Sequence, residues 1–122
     1  VHYIINHTKN IMTNEEIQQK ADELSKQYNC KVHPLVFKAE DEAEEIIGYL
    51  KEPQRQVKTS LMDRGMTQPV TACAEILEAY LIKEHSDSRI YDGVSENDKY
   101  YHGAVLEIYN MVKVSTNQFK KK

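Results

Sequence analysis

Two short β-prone segments on either side of an acidic turn constrain the fold more than any other feature of this sequence. The first runs from Lys31 to Lys38 and the second from Glu45 to Lys51, and carboxylates dominate the turn between them. The pattern predicts an antiparallel hairpin, with Pro34 at an edge or a bulge. Because two strands alone are only marginally stable, the hairpin must either pack against a helix or pair with further strands.

Apolar residues at helical spacing predict four helices around this hairpin. The second and third open on Pro53 and Pro69, which suit a first helical turn. Val57, Leu61 and Met62 form the predicted buried side of the second helix. The third is apolar around more than one stripe, so we expect it to be the central helix of the core. The predicted helices cover residues 14–28, 53–64, 69–85 and 96–112.

Short motifs mark several helix ends. Thr13 and Glu16 match a capping box, in which each side chain satisfies a free backbone donor of the other residue. Asn29 suits the left-handed conformation that ends a helix. Ser95 and Asp98 resemble a second capped start. The expected architecture is therefore a small α+β domain.

Length and composition fit one globular unit. The chain has 122 residues, a formal charge of −3 and 29% charged residues, which is typical of a globular domain and disfavours a strongly basic nucleic-acid binder. No apolar run approaches the ~20 residues of a membrane span, and no signal peptide is evident. We divide the chain into an N-terminal arm (1–12), the domain (13–114) and a polar basic tail (115–122). The sequence leaves open whether Val1 or Met12 is the natural start.

Residues with metal-binding or catalytic chemistry do not form a recognisable constellation. Cys30 and His33 have the spacing of half a zinc site, but the remaining Cys and His residues lie on separate predicted elements. Cys73 is expected to be an inert core thiol. The carboxylates of Glu40–Glu45 lack the spacing of a calcium loop, so we expect a solvated turn. We expect no metal, no cofactor, no disulfide and no enzymatic activity.

Tyrosines are the most informative candidates for partner contact. The chain has eight tyrosines, two phenylalanines and no tryptophan. Tyrosine is favoured at partly solvated protein interfaces, because it combines apolar area with a polar hydroxyl. The alternative is that the tyrosines of the fourth helix merely border the core. Both chain ends combine apolar with polar residues, so we predict that they are docking arms. The predicted contact residues from this reasoning are Tyr3, Ile4, Ile5, Tyr100, Tyr101, Tyr109 and Phe119.

Two segments resemble small tailed-phage proteins of the tail-assembly-chaperone type. Ile47–Arg55 leaves a strand through an aromatic residue, a basic residue and a proline, and Ala74–Ile82 is leucine-rich and helical in pattern. The end, Ser115–Lys122, also resembles the endings of uncharacterised proteins from phages that infect gut Bacteroides. The resemblance implies that partner contacts include Tyr49, Lys51 and Arg55.

The function that this resemblance implies is non-enzymatic phage morphogenesis through protein–protein contact. A structural accessory subunit of the virion, in the head, neck or tail, is the main alternative, and a small enzyme is the third. Expected partners are other phage structural proteins and a second copy of the chain. Nucleic acid is not expected, because Lys120–Lys122 alone does not make a basic face. The expected location is the host bacterial cytoplasm during assembly, or the virion.

Overall fold

The computed structural model describes residues 12–39, 42–64 and 67–120, with the backbone alone described for residues 61, 64 and 112–120. These residues form an α+β domain, as predicted from the sequence. The helices are α1 (Asn14–Tyr28), α2 (Arg55–Arg64), α3 (Pro69–Tyr80) and α4 (Asp98–Lys120). The strands are β1 (Val32–Lys38) and β2 (Glu45–Lys51), and short 3-10 turns cover Lys83–His85, Ser88–Ile90 and Ser95–Asn97.

Helix α1 begins and ends where its motifs predict. The Thr13 hydroxyl accepts from the Glu16 backbone N–H at 3.1 Å, and Glu16 Oε1 accepts from the Thr13 N–H at 3.0 Å. The bond from the Thr13 backbone keeps the pKa of Glu16 below its usual value. Asn29 has φ 55° and ψ 39°, the left-handed conformation that Asn tolerates well. The predicted capping box and helix stop are confirmed.

The hairpin forms with a regular antiparallel register from Val32↔Lys51 to Lys38↔Glu45. The Glu52 N–H donates to the Lys31 carbonyl at 2.8 Å, so odd-numbered residues of β1 direct their backbone groups toward β2. Pro34, at an even position, has its nitrogen on the outer edge. Its missing N–H therefore removes no bond from the ladder, in agreement with the predicted edge placement.

The outer edge of β2 is covered by the chain that follows α3. The Ile82 N–H donates to the Tyr49 carbonyl at 2.8 Å, and the Asp87 N–H donates to the Ile47 carbonyl at 3.0 Å. Leu81 forms a bridge with Leu50. The third helix was predicted to end near His85, but α3 ends at Tyr80. It stops there because the backbone at residues 81 and 82 is extended beside β2.

Helix α2 differs from its prediction in its start and in its buried side. It begins at Arg55, two residues after Pro53. The backbone is still engaged with β1 at Glu52, and a residue before proline disfavours helical geometry. Met62 is 62% exposed, which contradicts its predicted burial, whereas Val57 packs against the core as expected.

Helix α4 also differs at both ends. The predicted Ser95–Asp98 cap does not form. Instead, the Asp92 carboxylate accepts from the Val94 N–H at 2.9 Å and from Asn97 Nδ2 at 2.7 Å, which fixes the turn before the helix. The helix continues to Lys120, past the predicted end near residue 112 and into the predicted tail. Residues 113–120 contain neither glycine nor proline to stop it.

The hairpin lies between two helical layers, and each of its faces is buried. One face packs against α3 and α4, and the other packs against α1. The first cluster includes Leu35, Phe37, Ile46, Cys73, Ile76, Leu77, Leu81, Ile90, Tyr100, Ala104, Val105 and Ile108. The second cluster comprises Ile17, Ala21, Leu24, Val32, Tyr49 and Ile82.

Among the described residues, none of the helices combines the length and apolar character needed to cross a lipid bilayer.

Candidate partner-binding surfaces

In the part of the chain that the structure describes, no group of three or more His, Cys, Asp or Glu side chains is placed to hold a metal ion. Both thiols are free, with Cys30 half-buried and Cys73 buried in the first cluster. Burial raises the pKa of the Cys73 thiol, which favours the unreactive protonated form.

Two of the tyrosines predicted to contact a partner are buried in the core. Tyr49 is 1% exposed and lies in the second cluster, between the hairpin and α1. Tyr100 is 6% exposed, and its hydroxyl donates to the Glu42 carboxylate at 2.9 Å. Neither side chain is available to a partner, so these two assignments are wrong. The uninterrupted apolar run of β2 was the signal for a strand buried on both faces.

The other tyrosines of α4 are half-buried. The Tyr101 hydroxyl donates to Glu78 at 3.2 Å, and the Tyr101 and His102 rings meet edge-on with centroids 5.5 Å apart. Burial, followed by the nearby Glu78 carboxylate, raises the pKa of Tyr101. Tyr109 packs against the first cluster. Tyr101 and Tyr109 thus border the core, which was the alternative to a role in partner contact.

Two basic residues near the end of β2 differ in exposure, and Lys51, the last residue of the strand, is half-buried. The Lys51 ammonium stands 5.4 Å from the centroid of the Tyr28 ring. Arg55, the first residue of α2, is exposed. Nearby, the Glu52 carboxylate contacts both His33 and Lys58. Partial burial raises the pKa of Glu52, but the bonds from Lys58 and His33 outweigh it and the net shift is downward.

The remaining predicted contact residues fall outside the description. Tyr3, Ile4 and Ile5 lie in residues 1–11, outside the described residues, and so does most of the predicted N-terminal arm. Phe119 is a residue of α4, but its side chain is also outside the description.

The acidic turn is anchored to the domain, which corrects the expectation that it is merely solvated. Glu42 pairs with Lys99 and Tyr100, and Glu44 pairs with Arg89. Hydrogen bonds from Lys99 and then from Tyr100 lower the pKa of Glu42. Sequence reasoning missed these pairs because Glu42 and Lys99 are 57 positions apart.

Arg89 is the centre of this network. Its Nη2 donates to Asp87 at 2.8 Å and to Glu44 at 3.0 Å, while the guanidinium carbon lies 4.7 Å from the centroid of the Tyr100 ring. The two carboxylates, Asp87 first, raise the pKa of Arg89. The guanidinium is therefore fully charged and neutralised by its neighbours.

A mostly apolar depression of about 370 Å³ lies between α2 and α3. We call it the α2–α3 groove. Buried Ala72 and Ile76 and half-buried Val57 line it, and Gln56 and Glu75 are polar residues of the lining. It is also lined by the small side chains of Ser60 and Ala79 and by Tyr80.

A second depression, of about 410 Å³, lies between the end of α3, the loop after it and the start of α4. We call it the α3–α4 cleft. Its buried apolar lining residues are Leu77, Leu81 and Ile90. Tyr91 and Val94, which also line it, are 38% and 48% exposed. The ionisable and amide groups of the lining are Glu78, Lys83, Arg89, Asp92, Asn97, Asp98 and Tyr101.

Comparisons with protein-family models, with curated proteins and with solved structures find no match to this chain.

Proposed function

We propose that this protein acts by protein–protein contact in the assembly of phage particles and catalyses no reaction. The observation that carries the contact function is the α2–α3 groove. It is concave and predominantly apolar, and it lies open on a domain whose other apolar side chains are mostly packed in two clusters. Exposed concave apolar surface of this kind marks interaction sites in globular proteins.

The shape of the groove favours an apolar side chain presented by a partner. Ile76 lines the groove and is only 4% exposed, whereas Ala79 and Ser60 are exposed but small. Small side chains leave room for the anchor residues of a helix or an extended segment. The occupant that fits is an apolar anchor from another structural protein of the particle.

The assembly context of the proposal comes from the resemblance to tail-assembly chaperones. One of the two segments that carry this resemblance, residues 74–82, contributes Ile76, Ala79 and Tyr80 to the groove. The same part of the chain therefore supports both the contact function and its phage setting. The protein would work in the host bacterial cytoplasm during assembly, or as a part of the virion.

Complementation of a phage that lacks this gene tests the proposal. Ala79→Arg places a charge in the groove, and Thr71→Arg places the same charge on an exposed position of α3 outside it. Because a long charged side chain at 79 fills the space that an apolar anchor needs, and 1.4 kcal/mol equals a tenfold change in affinity, Ala79→Arg should lower particle yield by about tenfold or more. Thr71→Arg should support normal yield.

Two results would contradict this proposal separately. Normal particle yield without the gene would remove the assembly role. Equal yields with Ala79→Arg and Thr71→Arg would remove the groove as the contact site while leaving the role intact. Mass spectrometry of purified particles then separates a chaperone, which leaves after assembly, from an accessory subunit of the head, neck or tail, which remains.

A further inference from the structure

The α3–α4 cleft combines apolar, aromatic and acidic lining groups. Leu77, Leu81 and Ile90 supply the apolar surface, and Tyr91 and Tyr101 are its aromatic side chains. This is the surface that a long basic side chain needs, because its methylene stem packs on apolar groups while its charged end reaches carboxylates and ring faces.

The charges of the cleft favour a cation. Glu78, Asp92 and Asp98 supply three carboxylates, against Lys83 and Arg89. Arg89 is already neutralised by Glu44 and Asp87, neither of which lines the cleft. The Lys83 ammonium is engaged 5.7 Å from the centroid of the Tyr91 ring. Among the described residues, the lining therefore has three carboxylates and one ammonium group, that of Lys83, that forms no ion pair with a carboxylate.

The chain itself carries a matching basic segment, Phe119-Lys120-Lys121-Lys122. This segment cannot reach the cleft of its own molecule. Helix α4 begins at the cleft with Asp98 and continues unbroken to Lys120, a distance of about 33 Å at 1.5 Å per residue. The two residues that follow span at most about 7 Å.

We propose that the α3–α4 cleft binds the lysine-rich segment 119–122 of a second copy of this chain. The cleft lies at the start of α4 and Lys120 is the last residue of that helix, so the contact is head-to-tail. Repeated contacts of this kind give a ring or an open chain of subunits and not a closed two-fold dimer. The interaction is separate from the α2–α3 groove, so it stands or falls independently of the proposed function.

Sedimentation velocity of the full chain tests the contact. The average mass of the wild type should rise with concentration at low salt and fall as salt screens the charges. Glu78→Lys should weaken association at least tenfold, and so should a variant with glutamates at 120–122. The matched control is Glu96→Lys, which makes the same charge change at an exposed residue outside the cleft lining and should associate like the wild type.

A mixing experiment distinguishes head-to-tail contact from any symmetric one. Glu78→Lys has a defective cleft and an intact lysine segment, and the 120–122 glutamate variant has an intact cleft and a defective segment. Each should remain monomeric alone, whereas an equimolar mixture should form dimers and stop there. A Glu78→Lys chain with glutamates at 120–122 should stay monomeric, because Asp92 and Asp98 remain in the cleft lining and repel the glutamates.

Three results would overturn the proposal. The first is a wild type that stays monomeric at millimolar concentration. The second is equal association by Glu78→Lys and Glu96→Lys. The third is binding of a free trilysine peptide to the cleft without any self-association, which would show that the cleft recognises a basic segment of another protein. Circular dichroism of each variant confirms that the fold is retained.

Discussion

At Gly103 the side chain of a neighbouring strand occupies the space that a larger residue would fill. A Cβ atom at this position would lie 2.7 Å from Phe37 Cε2 and 2.8 Å from Cδ2. Alanine normally stabilises a helix by about 1 kcal/mol relative to glycine. The close approach of β1 to α4 reverses that preference here.

Gly103→Ala should therefore destabilise the protein, by about 1–3 kcal/mol as for other overpacked core sites. Chemical denaturation monitored by circular dichroism measures this change. In a Phe37→Leu background, where the ring is gone, the same substitution should be neutral or stabilising. A higher midpoint for Gly103→Ala alone would show that the ring moves aside at little cost.

Tyr49 places a polar atom in the second cluster without a partner. Its hydroxyl is buried and has no hydrogen bond among the described residues, and the Lys20 ammonium stands 5.4 Å from the ring centroid. Burial raises the pKa of this phenol. An unsatisfied buried hydroxyl costs about 1–3 kcal/mol, so the apolar ring must supply the stabilisation.

Tyr49→Phe removes the hydroxyl and keeps the ring. We expect the free energy of unfolding to stay the same or rise by up to about 1 kcal/mol. Tyr100→Phe is the contrasting variant, since its hydroxyl is bonded to Glu42, and it should lose about 1 kcal/mol. A comparable loss for Tyr49→Phe would reveal a hydrogen-bond partner of Tyr49.

At the scale of elements, sequence motifs predicted the helix and strand boundaries that depend on interactions between residues close in sequence. Thr13, Glu16 and Asn29 fix α1 within its own sequence, and both strands of the hairpin formed where their β-prone residues predicted them. The end of α3 could not be predicted this way. Leu81 and Ile82 continue the apolar pattern of the helix, but the Tyr49 carbonyl takes the Ile82 N–H. That competition depends on how α3 packs against the hairpin.

The two depressions depend even more on packing between elements. The α2–α3 groove needs the relative placement of two helices, and the α3–α4 cleft needs the path of residues 83–94. The sequence analysis selected Tyr100, Tyr101 and Tyr109 as contact residues from composition and Tyr49 from the resemblance, but Tyr49 and Tyr100 are buried.

The ion pairs that anchor the turn after β1 make this element sensitive to acid. Burial raises the pKa of Asp87, but the bonds from Arg89 outweigh it, and the pKa of Asp87, like that of Glu42, is lowered in the fold. A carboxylate whose pKa is lower in the folded state than in the unfolded state stabilises the protein at pH values above its unfolded-state pKa, which is about 4. This stabilisation is lost as the pH falls through the folded-state pKa of the carboxylate.

Asp87→Asn should flatten this acid dependence. The difference in unfolding free energy between pH 7 and pH 3 should shrink by about 0.5–1 kcal/mol, since the pair is only partly buried. Urea titrations at the two pH values measure it. Glu96→Gln removes an exposed carboxylate from a nearby turn and should leave the difference unchanged. An identical effect of both substitutions would exclude a specific role for the Arg89 network.

At the scale of the whole molecule, the hairpin joins two cores into one unit. Leu35 and Ile46 belong to the first cluster, while Val32 and Tyr49 of the same strands belong to the second. Neither cluster can open without exposing one face of the same two strands. We therefore expect a single cooperative unfolding transition.

Leu77→Ala and Leu24→Ala test this coupling, since Leu77 is 2% exposed in the first cluster and Leu24 is 3% exposed in the second. Each should lower the free energy of unfolding by about 2–5 kcal/mol, with one transition seen by far-ultraviolet circular dichroism and by tyrosine fluorescence. Leu106→Ala, at a position that is 53% exposed, should have little effect. Two separate transitions in Leu24→Ala would show that α1 and its cluster melt independently.

The placement of Pro34 affects whether strands of other molecules can pair with the edge of this two-stranded sheet. Residues 81–87 cover the outer edge of β2. On the outer edge of β1, the Pro34 ring stands where another strand would need a backbone N–H donor. The Val32 N–H on that same edge is already taken by Ser25 Oγ at 2.9 Å. A strand from another molecule thus finds an interrupted row of donors, and the growth of cross-β fibrils from this edge is discouraged at its first step.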